Sequence, residues 1–260
     1  MHQCIFAMSP DSTPLRLLQI TDTHLYADPD KKLYNVNTRA SLQRVLAAAR
    51  QQTKPDLVLA TGDLVHDESP AGYKTLVNML RTLDAPVAAI AGNHDALNSL
   101  QAIAGRNIRI GGKHRLGDWY IVLLNTLVPG ETDGHLDADE LRFLDIELMQ
   151  SRGGHVLIAL HHHPVAIGCT WLDKIGLNNA DEFFGVLDRY NHVRGVVWGH
   201  VHQSFESERR RVRLMAAPST CAQFLPGSGD FALDTRPPGM RWLTLLPDGQ
   251  IDTQIEWAGN

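Results

Sequence analysis

The chain has 260 residues, 43% apolar and 20% charged, which suits a soluble α/β globule of one large domain or two small ones. A formal charge of -5 disfavours a nucleic-acid backbone as partner, and no apolar run approaches the roughly 20 residues of a membrane helix. Three cysteines (Cys4, Cys169, Cys221) without paired spacing exclude a disulfide framework and a thiolate zinc site, and fit a reducing cytoplasm.

Met1 to Pro14 has no Lys or Arg ahead of its short apolar patch, so it does not read as a signal peptide. Leu15 to Ile20 reads as a buried strand, broken only by Gln19, and ends at Thr21-Asp22-Thr23-His24. In an extended chain Asp22 and His24, two apart, point to one side. Tyr26 to Val36 reads as a polar loop. Asn37 or Thr38 caps a helix to about Gln52 with Leu42, Val45, Leu46 and Ala49 on one face. A second buried strand starts at Pro55 and ends at Gly62-Asp63, making a βαβ unit with parallel strands.

Ser69-Pro70 opens a helix to about Leu83. Pro86 to Ala91 is a third strand, delivering Gly92-Asn93-His94-Asp95, and a short helix follows near Leu97 to Ala104. Trp119 to Leu124 is a strand, Val128 to Asp137 a loop, and Asp139 begins a helix that Gly153-Gly154 stops. The strand His155 to Leu160 ends in His161-His162-His163-Pro164. After the long connection Gly168 to Asn179, a helix from Ala180 to Tyr190 leads to the strand Val193 to Trp198 and Gly199-His200-Val201-His202. Strands at Val212 to Ala217, Arg241 to Leu246 and Ile251 to Trp257 complete a β-rich tail. There is no internal repeat or linker, so residues 1–260 read as one domain of two packed sheets flanked by helices.

Five strand ends thus deliver Asp, Asn or His, and seven of the 13 histidines fall in these segments. Ligands of such folds gather beyond the carboxyl ends of strands. Asp22, His24, Asp63, Asn93, one His of the 161–163 run, His200 and His202 make a nitrogen and oxygen donor set suited to iron, manganese or zinc. Seven donors exceed the needs of one open ion but suit two ions sharing a carboxylate, roughly 3.5–4 Å apart, which clamp the oxygens of an in-line displacement. Two divalent ions and two carboxylates leave about two positive charges, cut to about one by a bridging hydroxide, which favours a phosphodiester monoanion. His94 follows one expected ligand and is placed to assist the leaving oxygen.

Any one motif taken alone is commonly loop chemistry; their joint occurrence at strand ends is what carries the bimetal reading. Two of the three consecutive histidines read as supporting or packing residues. Asp95 reads as a supporting or helix-capping carboxylate. His66, Asp67 and Glu68 read as a solvated loop. His114, His135, His155 and His192 read as surface or loop residues, and Cys221 as a packed thiol.

The ordered set Asp22-x-His24, Gly62-Asp63, Gly92-Asn93-His94-Asp95, His162-x-Pro164 and Gly199-His200-x-His202 resembles the calcineurin-like metallophosphoesterase superfamily over residues 22 to 202. The resemblance implies a four-layer α/β/β/α sandwich of two mixed sheets flanked by helices. It implies Asp22, His24, Asp63 and His202 on one metal, and Asp63, Asn93, His162 and His200 on the other, with Asp63 bridging. His162 is selected because the family's ligand stands two before the Pro. His94 would assist the leaving group, and His24, Asp63, Asn93, His94 and His202 would meet the substrate.

Leu18 to Leu25, Leu160 to Pro164, Trp198 to Gln203, Pro218 to Cys221, and Phe231 to Thr235 followed by Pro238-Gly239 are further similar to bacterial class III cyclic-nucleotide phosphodiesterases. Asn125-Thr126 departs from the Asp-Ser of that subgroup. The similarity implies a cytoplasmic, metal-dependent hydrolase turning 3',5'-cyclic AMP into 5'-AMP. Its cofactors would be two divalent ions, Fe or Mn foremost and Zn or Co accommodated. Its partner would be a small cyclic nucleotide, with no nucleic acid or membrane, and the chain admits a homodimer. The rival readings are a broader phosphodiesterase for glycerophosphodiesters or 2',3'-cyclic nucleotides, and a metal-binding scaffold without catalysis.

Overall fold

A computed structural model describes residues 13–259. The reading of Met1 to Pro14 and the thiol of Cys4 fall outside the described residues, save Thr13 and Pro14. The chain begins with β1 (Leu15–Ile20), a small hairpin of β2 (Lys32–Leu33) and β3 (Val36–Asn37), α1 (Thr38–Ala49), β4 (Leu57–Thr61) and α2 (Pro70–Leu80). Next come β5 (Val87–Ile90), α3 (Leu97–Ala102), β6 (Ile108–Ile110), β7 (Gly112–Leu116), β8 (Trp119–Leu123), α4 (Ala138–Gln150) and β9 (His155–Ala159). The remainder holds α5 (Ala180–Leu187), β10 (Val193–Trp198), β11 (Phe205–Arg209), β12 (Val212–Ala216), β13 (Gln223–Phe224), β14 (Leu233–Asp234), β15 (Gly239–Leu245) and β16 (Ile251–Trp257).

Local chemistry sets the helix starts. Asn37 Oδ1 accepts the Ala40 N–H at 2.8 Å, and Ser69 Oγ accepts the Gly72 N–H at 3.1 Å with Pro70 in the first turn. The strands then alternate two faces. Leu18 and Ile20 of β1 pack with Leu42, Val45 and Leu46 of α1 and with Tyr73 and Leu76 of α2. Leu17, one residue away, packs with Leu59, Ile121, Leu157, Val197 and Leu243 between the sheets.

The result is four layers, as the resemblance implied. The first sheet has the order β16-β15-β1-β4-β5-β6 and the second β11-β12-β10-β9-β8-β7. Helices α1 and α2 cover the first sheet, and α4 and α5 the second. Both sheets are mixed: β1, β4, β5 and β6 run parallel, as do β8, β9, β10 and β12, while the outer partners are antiparallel. Gln19, the polar exception in β1, is fully buried and stitches the sheets together, donating to Thr61 Oγ1 at 3.0 Å and to the Trp198 carbonyl at 3.0 Å.

Several elements differ from expectation. The loop Tyr26 to Val36 contains the β2–β3 hairpin, and strands β6, β7 and β11 were not expected. The segment Phe-Glu-Ser-Glu-Arg of β11 is an exposed edge with no buried face to give it apolar alternation. No helix among the described residues is long and apolar enough to cross a membrane.

Candidate metal centre

The expected donors follow the carboxyl ends of β1, β4 and β5 in one sheet and β9 and β10 in the other, so both sheets feed one edge of the sandwich. The backbone there is not extended. Asp22 (φ 52), His24 (φ 44), Asp63 (φ 52), His200 (φ 66) and His202 (φ 47) all adopt the left-handed conformation. Asp22 and His24 therefore converge through a contorted turn, contrary to the expectation of strand alternation. Such strain persists only where its surroundings fix it. Here the Asp22 N–H donates to the Gly62 carbonyl at 3.0 Å and the His24 N–H to the Asp63 carbonyl at 2.9 Å. Two glycines make room: a Cβ on Gly92 would strike the Asp63 carboxylate and His161, and one on Gly199 would strike Thr21 and Asp22.

Side-chain nitrogens and oxygens then gather in two groups. In the first, His24 Nε2 lies 3.1 Å from His202 Nε2, and His202 Nε2 lies 3.3 Å from Asp22 Oδ1. In the second, His161 Nε2 lies 3.4 Å from Asp63 Oδ1 and 3.3 Å from Asn93 Oδ1, which lies 3.1 Å from His200 Nδ1. Asp63 stands between them, its Oδ2 3.7 Å from His24 Nε2. The imidazoles are oriented from behind. Nδ1 of His161 meets the Thr61 carbonyl at 2.8 Å and Nδ1 of His202 the Ala222 carbonyl at 2.7 Å, which turns Nε2 toward the gathered donors in each.

The three consecutive histidines separate. His161 turns to Asp63 and Asn93. His162 turns its Nδ1 to Thr126 Oγ1 at 2.7 Å, at the position where the sequence departs from the subgroup it resembles, and packs against Gly134. Its buried Nε2 has no partner and its ring lies 4.7 Å from that of His200. His163 lies 3.9 Å from Asp173. His161 Nε2 thus faces Asp63 and Asn93, while His162 gathers with His161 and His200 alone.

Charge follows burial. Burial holds His24, His162 and His200 well below the ordinary imidazole value, so their lone pairs are available to a cation. Burial also opposes charge on Asp63 and His161, but their mutual attraction and hydrogen bond overcome it: His161 is pushed up to about 9 and Asp63 well below the usual carboxylate range.

His94 is only partly buried; its N–H donates to Asp63 Oδ1 at 2.9 Å, and its ring lies 5.3 Å from that of His24. Asp95 supports the site from beneath, as expected. Its carboxylate accepts the N–H groups of Leu64, Val65 and Gly92 and the Tyr73 hydroxyl, tying the ends of β4 and β5 to α2. Burial, with Asp63 nearby, pushes Asp95 up to about 6.

The reading of His66 as a solvated loop residue is corrected. Asp67 and Glu68 are exposed, but His66 folds inward, with Nδ1 3.0 Å from His24 Nδ1 and its ring stacked on His94 at 4.4 Å. Only its place two residues beyond Leu64, in the turn leaving β4, could have marked it. Trp171 also lines the cavity at the site. Cys221 is buried, as expected, and His114, His135, His155 and His192 contact backbone or loop groups away from the site.

The calcineurin-like phosphoesterase family matches residues 15–204. The 3',5'-cyclic adenosine monophosphate phosphodiesterase CpdA of Pseudomonas aeruginosa is 40% identical over 240 residues, spanning 92% of this chain and 88% of that protein. Its namesake in Escherichia coli (strain K12) is 40% identical over 244 residues, spanning 93% and 89%. A dimetal phosphatase from Danio rerio shares the fold, with a TM-score of 0.63 and 17% identity over 95% of this chain and 100% of that one. The chain belongs to the calcineurin-like phosphoesterase family of metal-dependent hydrolases.

Proposed function

We propose that the protein is a dinuclear phosphodiesterase that hydrolyses 3',5'-cyclic AMP to 5'-AMP. The observation that carries the reading is Asp63, whose two carboxylate oxygens reach His24 on one side and His161 on the other. Donor atoms bound to one ion at about 2.1 Å stand about 3.0–3.4 Å from one another. The separations of 3.1 and 3.3 Å in the first group and of 3.1, 3.3 and 3.4 Å in the second fit that pattern. Asp22, His24, Asp63 and His202 would hold one ion, and Asp63, Asn93, His161 and His200 the other. His161 takes the place that counting back from Pro164 gives to His162, because its Nε2 faces Asp63 and Asn93. The nitrogen and oxygen set suits iron or manganese and accommodates zinc or cobalt.

Bound there, the ions would supply Lewis acidity and a water of lowered pKa. The chain's own residues do the rest. His24, Asp63, Asn93, His94 and His202 line the cavity and meet the phosphodiester. Ring opening breaks the bond from phosphorus to the 3'-oxygen and joins a water oxygen to phosphorus, and His94 gives its proton to the departing 3'-oxygen. The names of the curated relatives support cyclic AMP as substrate. The free, buried thiols of Cys169 and Cys221 suit a reducing cytoplasm.

The test is hydrolysis of 3',5'-cyclic AMP by the wild type and by Asn93→Ala, with bound metal counted in each. Turnover to 5'-AMP that falls together with metal content in the variant is expected. Two equivalents of metal with turnover only of other diesters would overturn the substrate and leave the centre standing.

A further inference from the structure

We propose that an aromatic cage beside the metal donors holds the nucleobase of the substrate by its faces. The inference rests on the phosphodiesterase reading above and adds what that reading lacks, a place for the base. The cavity of about 130 Å³ that reaches His94 and His202 is walled by Tyr34, Trp171, Phe224 and Phe231. The Phe224 ring is stacked on His202, with centroids 4.1 Å apart and planes at 11°, so the cage begins one ring away from the metal donors. Trp171 meets Phe224 at 5.1 Å and 68° and Phe231 at 5.4 Å and 71°, while Tyr34 meets Phe231 at 5.2 Å. Rings set edge to face leave open faces and edges against which a third flat ring can lie.

Three further observations point to a ligand rather than to core packing. First, the cage is open. Tyr34 is 41% and Phe231 49% exposed, and with Leu225 and Leu233 they make four of the six exposed large apolar side chains among the described residues. An apolar cluster of this kind, continuous with a reaction site, is a recognition surface.

Second, Tyr34 is held under strain. Tyr34 (φ 50) and Asn35 (φ 65) form the two-residue turn between β2 and β3, both left-handed, a turn that favours Asn-Gly. A tyrosine in that conformation is unfavourable. Third, no Lys, Arg or Glu lines the cavity, and its one carboxylate, Asp63, stands at the metal-donor end. The occupant of its aromatic end is therefore flat and uncharged: a nucleobase, not a second phosphate. Recognition by faces follows stacking strength, so purines should outrank pyrimidines, and adenine and guanine should differ little.

The experiment compares the metal-loaded wild type with Tyr34→Ala/Phe231→Ala, both rim positions whose side chains are half exposed. KM for cyclic AMP is expected to rise about 5- to 100-fold, the range for loss of base stacking, with kcat nearly unchanged. Phe231→Trp should restore KM. Cyclic CMP should lose less than cyclic AMP. In parallel, 5'-AMP should quench tryptophan fluorescence in the wild type but not in Trp171→Phe, and ribose 5-phosphate should quench neither. An unchanged KM in an enzyme that turns over cyclic AMP overturns the cage, as does a variant whose only change is from dimer to monomer, which would give the patch to a second copy of the chain. Quenching by 5'-AMP without cyclic-AMP turnover would keep the cage and remove the substrate reading.

Discussion

Replacing Tyr73 by Phe removes one oxygen atom from beneath the site and tests how the scaffold is held. The Tyr73 hydroxyl is buried, donates to Asp95 Oδ1 at 2.8 Å and accepts the Ala96 N–H at 3.0 Å. A hydrogen bond to a charged group contributes about 1.5–3 kcal/mol, and a part-buried N–H left without its acceptor costs about 1 kcal/mol. The ring itself still fills its place in the core under the first sheet's helices, so no large cavity term is added. The expected loss is about 3 kcal/mol, a fall in Tm of about 6–12 °C for a domain of this size. Thermal and urea unfolding of Tyr73→Phe, Asp95→Asn and the double variant, with bound metal matched, would measure it. The double-mutant cycle should give a coupling energy of about 1–2 kcal/mol. A loss below about 1 kcal/mol with no coupling would show that α2 does not anchor Asp95, and the argument for the support beneath the site would fail.

Four further outcomes are expected. His66→Ala should lower kcat about 10- to 100-fold, the usual effect of removing the partner of a metal-site imidazole, while the fold is kept, as circular dichroism would check. Gly199→Ala should reduce bound metal, measured by elemental analysis, because its methyl group displaces Asp22. Glu140 in α4 is pushed up to about 7 by burial, against the pull of the Asn125 N–H. A folded-state value above the unfolded one means stability that is complete below the unfolded value and lost as pH rises through about 7, so Glu140→Gln should stabilise at pH 8 and not at pH 4 in urea titrations. Burial pushes Cys221 up to about 12, so native protein at pH 8 should resist iodoacetamide at this residue and react there once unfolded, as peptide mapping would report.

The strands behind the site were legible because each is an apolar run that stops abruptly at a polar donor, as Ile20 gives way to Thr21-Asp22 and Trp198 to Gly199-His200. Which of His161, His162 and His163 faces Asp63 was not legible locally, since the partners of the other two, Thr126, Gly134 and Asp173, lie far along the chain or on separate loops. His66 was hidden by Asp67 and Glu68, whose exposure says nothing of a ring turned the other way. The Tyr34 hairpin escaped notice because its turn lacks the glycine that marks such turns. The aromatic cage could not be read at all: its four rings come from a hairpin, a long connection and two parts of the tail, and only the assembled tail brings them together.

The crossing between sheets made by Gln19 also bears on the order in which the molecule is made. Gln19 and its bond to Trp198 are separated by 179 residues, and the Asp22 carboxylate and the His200 N–H by 178. Each donor group spans a long gap, 178 residues from His24 to His202 in the first and 107 from Asn93 to His200 in the second. A chain emerging from the ribosome can complete its first βαβ unit early, yet it cannot close either group until β10 has been made and docked. Contacts this distant in sequence make for slow folding. A nascent or truncated chain would therefore carry neither a finished trap for metal nor a hydrolytic centre, so activity arises only in a nearly complete molecule.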